Sequence, residues 1–153
     1  MKPLLIVFLL CFSCGVFGQN SKQVDSLTFC FHKYQVPTGC AAESEYQLKC
    51  ENYSMAWLYM NEQMLESMPD QFISQMAEQM KKFKKEAINC YLLDKEVKGY
   101  KISYKTDSGT GYQLIGYGNA NGQPVLVQIV LDKEPKNNED IPEFAREIIR
   151  LSK

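Results

Sequence analysis

Alternating hydrophobic and polar residues predict extended chain in two blocks near the start of the sequence. From Leu27 to Tyr34 the apolar and polar side chains alternate, as they do on a strand with one buried face. Pro37-Thr38-Gly39 has turn chemistry and ends this strand. A second block covers 46–60, and its last part is apolar on both sides, which fits either a strand buried on both faces or a buried helix. Residues 54–60 therefore stay open between strand and helix.

Large apolar residues at three- or four-residue spacing predict a long helix after Asn61. Asn61 suits the N-cap position, and the lysine-rich run 81–85 suits the carbonyl end of the helix, where positive charge is favourable. Pro69 predicts either a kink or a second start capped by Ser67. The apolar stripe consists of Met64, Met68, Phe72, Met76, Met80 and Phe83. Packing of this helix on a sheet explains the methionines more simply than a groove for an apolar partner or a copper site does.

Residues 87–132 predict a four-stranded antiparallel meander. Lys98-Gly99 is expected to form a turn, and Asn121-Gly122 strongly favours a tight hairpin because both of its turn positions need positive φ. Asp140-Ile141-Pro142-Glu143 then opens a C-terminal helix. The predicted strands are 88–93, 100–105, 112–118 and 125–131. The predicted fold class is α+β, with a mostly antiparallel sheet (a hairpin plus the meander) packed by the long Met-rich helix and the C-terminal helix.

The first eighteen residues have the pattern of a secretory signal peptide. Lys2 precedes a short apolar run, and small residues precede a cleavage site after Gly18. We therefore expect a secreted or periplasmic protein with a signal peptide at 1–18, a flexible leader at 19–26 and a single α+β domain at 27–153. Removing Lys2 from the 17 basic residues leaves 16 against 18 acidic residues, a balance that does not attract nucleic acid.

An alternative for the same segment is lipid attachment. The residues around Cys14 faintly resemble a bacterial lipoprotein cleavage site, with Cys14 as the lipidated residue and Cys11 at the position where leucine is usual. In that alternative the protein is a lipoprotein, and this is the only route by which we expect it to meet a membrane.

Four cysteines remain after cleavage at Gly18, namely Cys30, Cys40, Cys50 and Cys90. An even number of cysteines in an exported chain favours two disulfides, and four cysteines permit three pairings. A hairpin centred on 37–44 would bring Cys30 opposite Cys50, so we predict the pairs Cys30–Cys50 and Cys40–Cys90. These four cysteines form no Cys-x-x-Cys pair and His32 is the sole histidine, so no metal site and no cofactor are expected.

The order of predicted elements resembles the PsbP-like and DcrB-like family of exported α/β/α sandwiches. The similarity covers about 27–152 and depends on Phe29-Cys30-Phe31 leading to Val36-Pro37-Thr38-Gly39, on the meander, and on the closing run Phe144-Ala145-Arg146-Glu147-Ile148-Ile149. Members of that family are mostly accessory or binding proteins without catalytic residues. The resemblance therefore implies a non-catalytic exported protein, and it assigns no site residue.

Two functional alternatives follow from the residues themselves. A small extracellular hydrolase would have to use His32 or a pair of carboxylates, and it would need His32 beside an acid or a hydroxyl in a concave pocket. An envelope protein-partner module, of the immunity or stress type, predicts an exposed apolar patch instead. The scattered carboxylates are Glu43, Glu45, Glu51, Asp107 and the Glu139-Asp140 pair.

Tyrosines in the meander are the candidate binding surface. Tyr combines apolar area with a polar tip, so several tyrosines on one open sheet face would suit a protein, peptide or carbohydrate ligand. Ordinary cross-strand packing of aromatic residues is the simpler explanation for them. The residues concerned are Tyr100, Tyr104, Tyr112 and Tyr117. We expect an exported binding or accessory protein, with no catalytic residue assigned.

Overall fold

The computed structural model describes residues 23–152, so the predicted signal peptide, its cleavage site and Cys14 lie outside the described residues. Residues 23–152 form one eight-stranded antiparallel sheet, a separate two-stranded hairpin and two α-helices. The elements are β1 (Ser26–Phe29), β2 (His32–Gln35), β3 (Ala41–Ser44), β4 (Gln47–Lys49), β5 (Tyr53–Tyr59), α1 (Glu62–Gln79), β6 (Lys81–Leu92), β7 (Lys95–Thr106), β8 (Gly109–Ala120), β9 (Gln123–Leu131), α2 (Glu143–Ile148) and β10 (Ile149–Leu151). The large sheet has the strand order β10-β6-β7-β8-β9-β5-β4-β3. The fold is therefore α+β with a mostly antiparallel sheet.

The doubly apolar segment near residue 57 is a strand. β5 pairs with β9 along its whole length, from Tyr53 opposite Leu131 to Tyr59 opposite Val125. Its centre is buried, and Trp57 is only 3% exposed. A strand in the interior of a sheet with a covering layer on each face reads as a continuous apolar run, which explains why the pattern there did not alternate.

The predicted alternating strand from Leu27 to Tyr34 is interrupted by a turn. β1 and β2 are the two arms of a hairpin, with Ser26 opposite Gln35 and Phe29 opposite His32. The chain already makes contacts at the end of the predicted leader, where the Val24 amide donates to the Ala42 carbonyl at 3.0 Å.

Helix α1 begins as predicted but ends earlier. The Asn61 side chain caps it by accepting the Met64 amide at 2.8 Å, and the helix continues through Pro69 without a second start. The prediction that it extends through the lysines at 81–85 is wrong, because Met80 is already extended and these lysines open β6. A bulge with Lys82 at φ 52° starts that strand.

The lysines lie where β6 is an edge of the sheet. β10 pairs only with Cys90–Leu92, so the preceding part of β6 has β7 as its partner on one side and no strand on the other among residues 23–152. Lysines on an edge strand discourage pairing with a second sheet. The same charges that suit a helix C-terminus therefore suit a sheet edge, and the sequence pattern does not separate these two roles.

The meander is confirmed, with one turn misplaced. Asn121 and Gly122 form the β8–β9 turn with φ values of 49° and 76°. The predicted turn at Lys98-Gly99 is wrong, since the β6–β7 turn is Leu93-Asp94 and Gly99 lies inside β7 opposite Gly116. A Cβ on Gly99 would collide with the main-chain oxygen of Ile115, so this glycine permits close approach of two strands and makes no turn.

Each face of the large sheet has its own core. On one face Ile73 and Met76 of α1 pack on Ile102, Ile115 and Leu126. On the other face the β1–β2 hairpin and α2 cover the sheet. The fully buried residues of this second core include Leu27, Phe29, Leu114, Val127, Ala145 and Ile148. The predicted C-terminal helix is short, because the chain leaves α2 at Ile148 and adds β10 to the sheet edge.

The predicted cysteine pairs are wrong. Cys40 is bonded to Cys50, whereas Cys30 and Cys90 are buried free thiols. The hairpin expected between residues 30 and 50 is really the β3–β4 hairpin, in which Ala41 pairs with Lys49, so the next residues outward are Cys40 and Cys50. Cys30 instead occupies the β1–β2 turn, and Cys90 is a residue of β6. No helix in the described part of the chain combines the length and the apolar character needed to cross a bilayer.

We expect the Cys40→Ser/Cys50→Ser variant to lose about 2–3 kcal/mol in the free energy of unfolding, because the bridge closes a short loop in the unfolded chain. Urea denaturation of the mature protein measures this loss. Denaturing alkylation followed by mass spectrometry supplies an independent check, since it should label two cysteines, Cys30 and Cys90. Labelling of all four, or of none, would contradict the pairing.

Candidate functional site

The four candidate tyrosines do not share one face. Tyr100, Tyr104 and Tyr117 lie on the α1 side of the sheet, whereas Tyr112 packs against the core on the opposite side. The expectation of one surface made by all four therefore fails at Tyr112, because the side chains of a strand alternate between the two faces of the sheet.

The three tyrosines beside α1 are half-buried and already engaged. Tyr100 and Tyr117 stack with ring centroids 6.1 Å apart, and the Tyr100 hydroxyl donates to the Asp70 carboxylate of α1 at 3.3 Å. The Lys85 ammonium lies 5.4 Å from the centroid of the Tyr100 ring. Burial raises the pKa of Tyr117 far above its ordinary value, and the adjacent Tyr100 hydroxyl adds to that shift. These contacts attach α1 to the sheet.

A second group of features gathers where three turns meet at one end of the molecule. We call this the turn-end surface; it consists of the turns Cys30-Phe31, Leu93-Asp94 and Asn121-Gly122 together with the C-terminal half of α2. The Asn121 side-chain amide donates to the Cys30 carbonyl at 2.9 Å, and the Leu93 amide donates to the Ile148 carbonyl at 2.8 Å. The first of these hydrogen bonds joins the Asn121-Gly122 turn to the Cys30-Phe31 turn, and the second joins the Leu93-Asp94 turn to the end of α2.

Phe31 is the most exposed large hydrophobic residue in the described structure, with 74% of its surface accessible. Both residues of its turn have positive φ, 46° at Cys30 and 71° at Phe31. Such tight hairpin turns favour Asn-Gly or Gly-Gly, because a side chain strains the left-handed conformation. A strained Cys-Phe pair therefore occupies a place that polar or glycine residues would fill more comfortably.

Hydrogen bonds with three side chains, those of Tyr59, Trp57 and Asn121, hold the hairpin tip in place. The Cys30 amide donates to the Tyr59 hydroxyl at 2.6 Å, and the Trp57 indole donates to the Thr28 carbonyl at 3.0 Å. Asn121 is the third, with its bond to the Cys30 carbonyl. Because all three side chains come from the large sheet or its turns, Phe31 is presented to solvent by a fixed backbone.

A cleft of about 510 Å³ lies within the turn-end surface. The side chain next to Phe31, His32, is exposed and lines it, together with Asn121 and the α2 residues Arg146 and Glu147. Arg150 also lines the cleft, but its guanidinium is held by the Leu93 carbonyl at 2.9 Å and the Asp94 carboxylate at 3.2 Å. By contrast, Arg146 Nε is buried without a hydrogen-bond partner among residues 23–152.

The cleft meets only part of what the hydrolase alternative requires, namely His32 in a concave site. His32 shares the cleft with Asp94 and Glu147, but within residues 23–152 it makes no hydrogen bond to either. Among the carboxylates, Asp140 caps a turn of 3-10 helix by accepting the Lys136 and Asn137 amides at 2.9 and 3.0 Å. Burial raises the pKa of Cys30 to about 11 and that of Cys90 to about 12, which keeps both thiols protonated at neutral pH.

A larger cleft, of about 620 Å³, lies beside β10. The Asn138 side chain spans this region and bonds both the amide and the carbonyl of Leu151, at 2.7 and 3.1 Å. The polar atoms of the Asn138 side chain thus hold β10 in place. The described residues contain no group of three or more His, Cys, Asp or Glu side chains arranged to hold a metal ion.

Sequence patterns did not point to the turn-end surface. On a continuous strand, Phe29 and Phe31 would lie on the same side. In the structure Phe29 ends β1 and is buried, whereas Phe31 belongs to the turn that follows and is exposed. Neither Cys30 nor Phe31 is a turn-forming residue type, so local sequence carries no signal for this turn. Comparison of the whole chain with protein-family models found no match, and comparison with curated proteins found no significant relative.

Proposed function

We propose that the protein is an exported, non-catalytic binding module that recognises a protein partner through Phe31 on the turn-end surface. The observation that carries this proposal is the exposure of a large aromatic ring on a backbone that is both strained and fixed by hydrogen bonds. The proposed location is the periplasm or the cell exterior, with lipid attachment at Cys14 as the alternative form.

The energetics of the hairpin tip favour a binding role for Phe31. Left-handed conformations of residues other than glycine cost on the order of 1–3 kcal/mol each and concentrate at functional sites. The ring gains nothing from the fold in return, because it lies almost fully in water. A partner that covers the ring would recover its burial energy, and it would pay little ordering entropy because the backbone is already fixed.

The remaining features are consistent with an accessory protein of this kind. Aromatic residues surrounded by polar groups are the usual energetic centres of protein interfaces, and Phe31 is followed directly by the exposed His32 and Lys33. The disulfide between Cys40 and Cys50 suits an oxidising compartment. Kinship with PsbP-like proteins is part of this proposal, and it rests on the order of elements predicted from the sequence.

The proposal can be tested by selecting phage-displayed random peptides on the immobilised mature protein. Peptides enriched on the native protein should bind the Phe31→Ser variant at least about tenfold more weakly, because a central aromatic contact is lost. Isothermal titration calorimetry of synthetic versions of these peptides measures the affinities.

Two variants serve as controls. Phe31→Tyr keeps the ring and should retain most of the affinity, whereas Tyr46→Ser removes the other exposed large hydrophobic residue and should change it little. If no peptide is enriched over the Phe31→Ser variant, or if the enriched peptides bind that variant equally well, Phe31 is not the recognition element and the proposal fails.

A further inference from the structure

We propose that the cleft beside Phe31 is an anion-binding site in which the Arg146 guanidinium receives a carboxylate of the partner. This inference rests on the proposed function and specifies the partner chemistry, namely an acidic segment in which a carboxylate lies next to an apolar side chain. The apolar side chain covers Phe31, and the carboxylate enters the adjoining cleft.

The first support is the unused hydrogen-bonding capacity of Arg146. Its Nε is buried and has no partner, and no carboxylate among residues 23–152 lies within ion-pair distance of its guanidinium. A buried donor without an acceptor is costly and uncommon in native proteins. Arginine presents its donors as a planar fork that matches the two oxygens of a carboxylate. Arg146 lines the cleft, so an incoming carboxylate would meet a cationic side chain that no carboxylate of residues 23–152 pairs.

The second support is the charge of the cleft. Arg150 and Asp94 form a pair at 3.2 Å and neutralise each other. This leaves Arg146 and Lys95 as cations against the one carboxylate of Glu147, so the unpaired charge of the cleft is positive. Glu147 disfavours a dianionic phosphate more than a single negative charge, which favours a carboxylate as the ligand.

The third support is the contrast between the two arginines of this surface. Arg150 is fixed by a main-chain carbonyl and a carboxylate, and its guanidinium lies 5.9 Å from the centroid of the Tyr91 ring, so it has a complete structural role. Arg146 lies in α2, four residues before Arg150 of β10, and its side chain makes neither an ion pair nor such a main-chain contact among residues 23–152. The difference indicates that Arg146 is kept for a contact outside the chain.

The first test needs no partner. In ¹H–¹⁵N NMR spectra of the mature protein, the Arg146 Nε–H signal is followed during titration with acetate, succinate or inorganic phosphate. We expect a saturable shift of this signal with acetate and succinate, at dissociation constants on the order of millimolar, and weaker binding of phosphate. Stronger binding of phosphate would show that the site selects phosphorylated ligands and would overturn the carboxylate assignment. A response no larger than that of Arg150 with every anion would overturn the site itself.

The second test uses the peptides selected on the native protein. We expect Arg146→Gln to weaken acidic peptides by about tenfold to hundredfold, as the loss of a charge-assisted hydrogen bond does, while their Asp/Glu to Asn/Gln versions bind both proteins alike. Arg146→Lys should restore part of the affinity. Lys133→Gln makes the same change of net charge in the loop that follows β9, at the far end of that strand from the Asn121-Gly122 turn, and should have little effect.

The outcomes separate the two proposals. Peptides that depend on Phe31 but ignore Arg146 and their own carboxylates would refute the anion site and leave the proposed function standing. Peptides that depend on neither residue would refute both. Thermal melts of each variant accompany the titrations, and the NMR titration of the native protein stays decisive if Arg146→Gln does not fold.

Discussion

The Trp57→Ala variant is expected to lose about 3–5 kcal/mol of unfolding free energy, as large-to-small substitutions of buried aromatic residues do. Trp57 is 3% exposed, it meets Phe29 edge-on with ring centroids 5.4 Å apart, and its indole donates to the Thr28 carbonyl. The side chain therefore joins β5 of the large sheet to the separate β1–β2 hairpin. Since domains of this size have only about 5–15 kcal/mol in total, a substantial fraction of the variant should be unfolded near 37 °C.

Denaturation followed by far-ultraviolet circular dichroism measures this loss without using tryptophan fluorescence. Trp57→Phe separates the two causes, because it keeps an aromatic ring but leaves the Thr28 carbonyl with only the longer hydrogen bond from the Tyr59 hydroxyl, at 3.4 Å, and should cost about 1–2 kcal/mol. Equal stability of the alanine variant and the native protein would mean that the β1–β2 hairpin does not depend on this contact.

The Gly99→Ala variant is expected to lose about 3 kcal/mol, an unusually large effect for adding one methyl group. Gly99 lies opposite Gly116 in the middle of the sheet, and its added Cβ would collide with the main-chain oxygen of Ile115 and lie 3.0 Å from the Cys90 sulfur. A backbone oxygen in a paired strand has no alternative rotamer. The two strands would have to separate, which would weaken the hydrogen bonds between β7 and β8.

Gly111→Ala is the matched comparison for this prediction. A Cβ there would meet the Tyr104 ring, with the nearest atom at 2.6 Å, and the outer end of this half-buried side chain can shift. We expect a cost of about 1 kcal/mol, clearly below that of Gly99→Ala, in urea denaturation of both variants. A reversed order would show that close packing of the strands at Gly99 is not the limiting contact.

Local sequence signals predicted those elements that short-range interactions determine. The Asn121-Gly122 turn and the Asn61 cap are both formed, because each depends only on the conformational preferences of a few adjacent residues. The turn at Cys30-Phe31 could not be predicted in this way. It depends on the hydrogen bond that the Cys30 amide donates to Tyr59 and on the one that its carbonyl accepts from Asn121, residues that lie 29 and 91 positions away from Cys30.

The same distinction explains the errors in the candidate sites. The disulfide prediction placed Cys30 in the wrong hairpin, because the real hairpins are β1–β2 and β3–β4. The tyrosines stood out in the sequence by their number, although their contacts are structural. Phe31 could be singled out only in the folded chain, since one exposed phenylalanine among the five of residues 23–152 has no sequence signature.

The lysines on the open edge of β6 have a consequence for how copies of the molecule behave together. A sheet grows into ribbons when the outermost strand of one copy pairs with that of the next, and repeated positive charge opposes this step. The other margin, β3, is only four residues long and is joined to its neighbour by the Cys40–Cys50 bridge. Fibrillar stacking is therefore disfavoured at both margins.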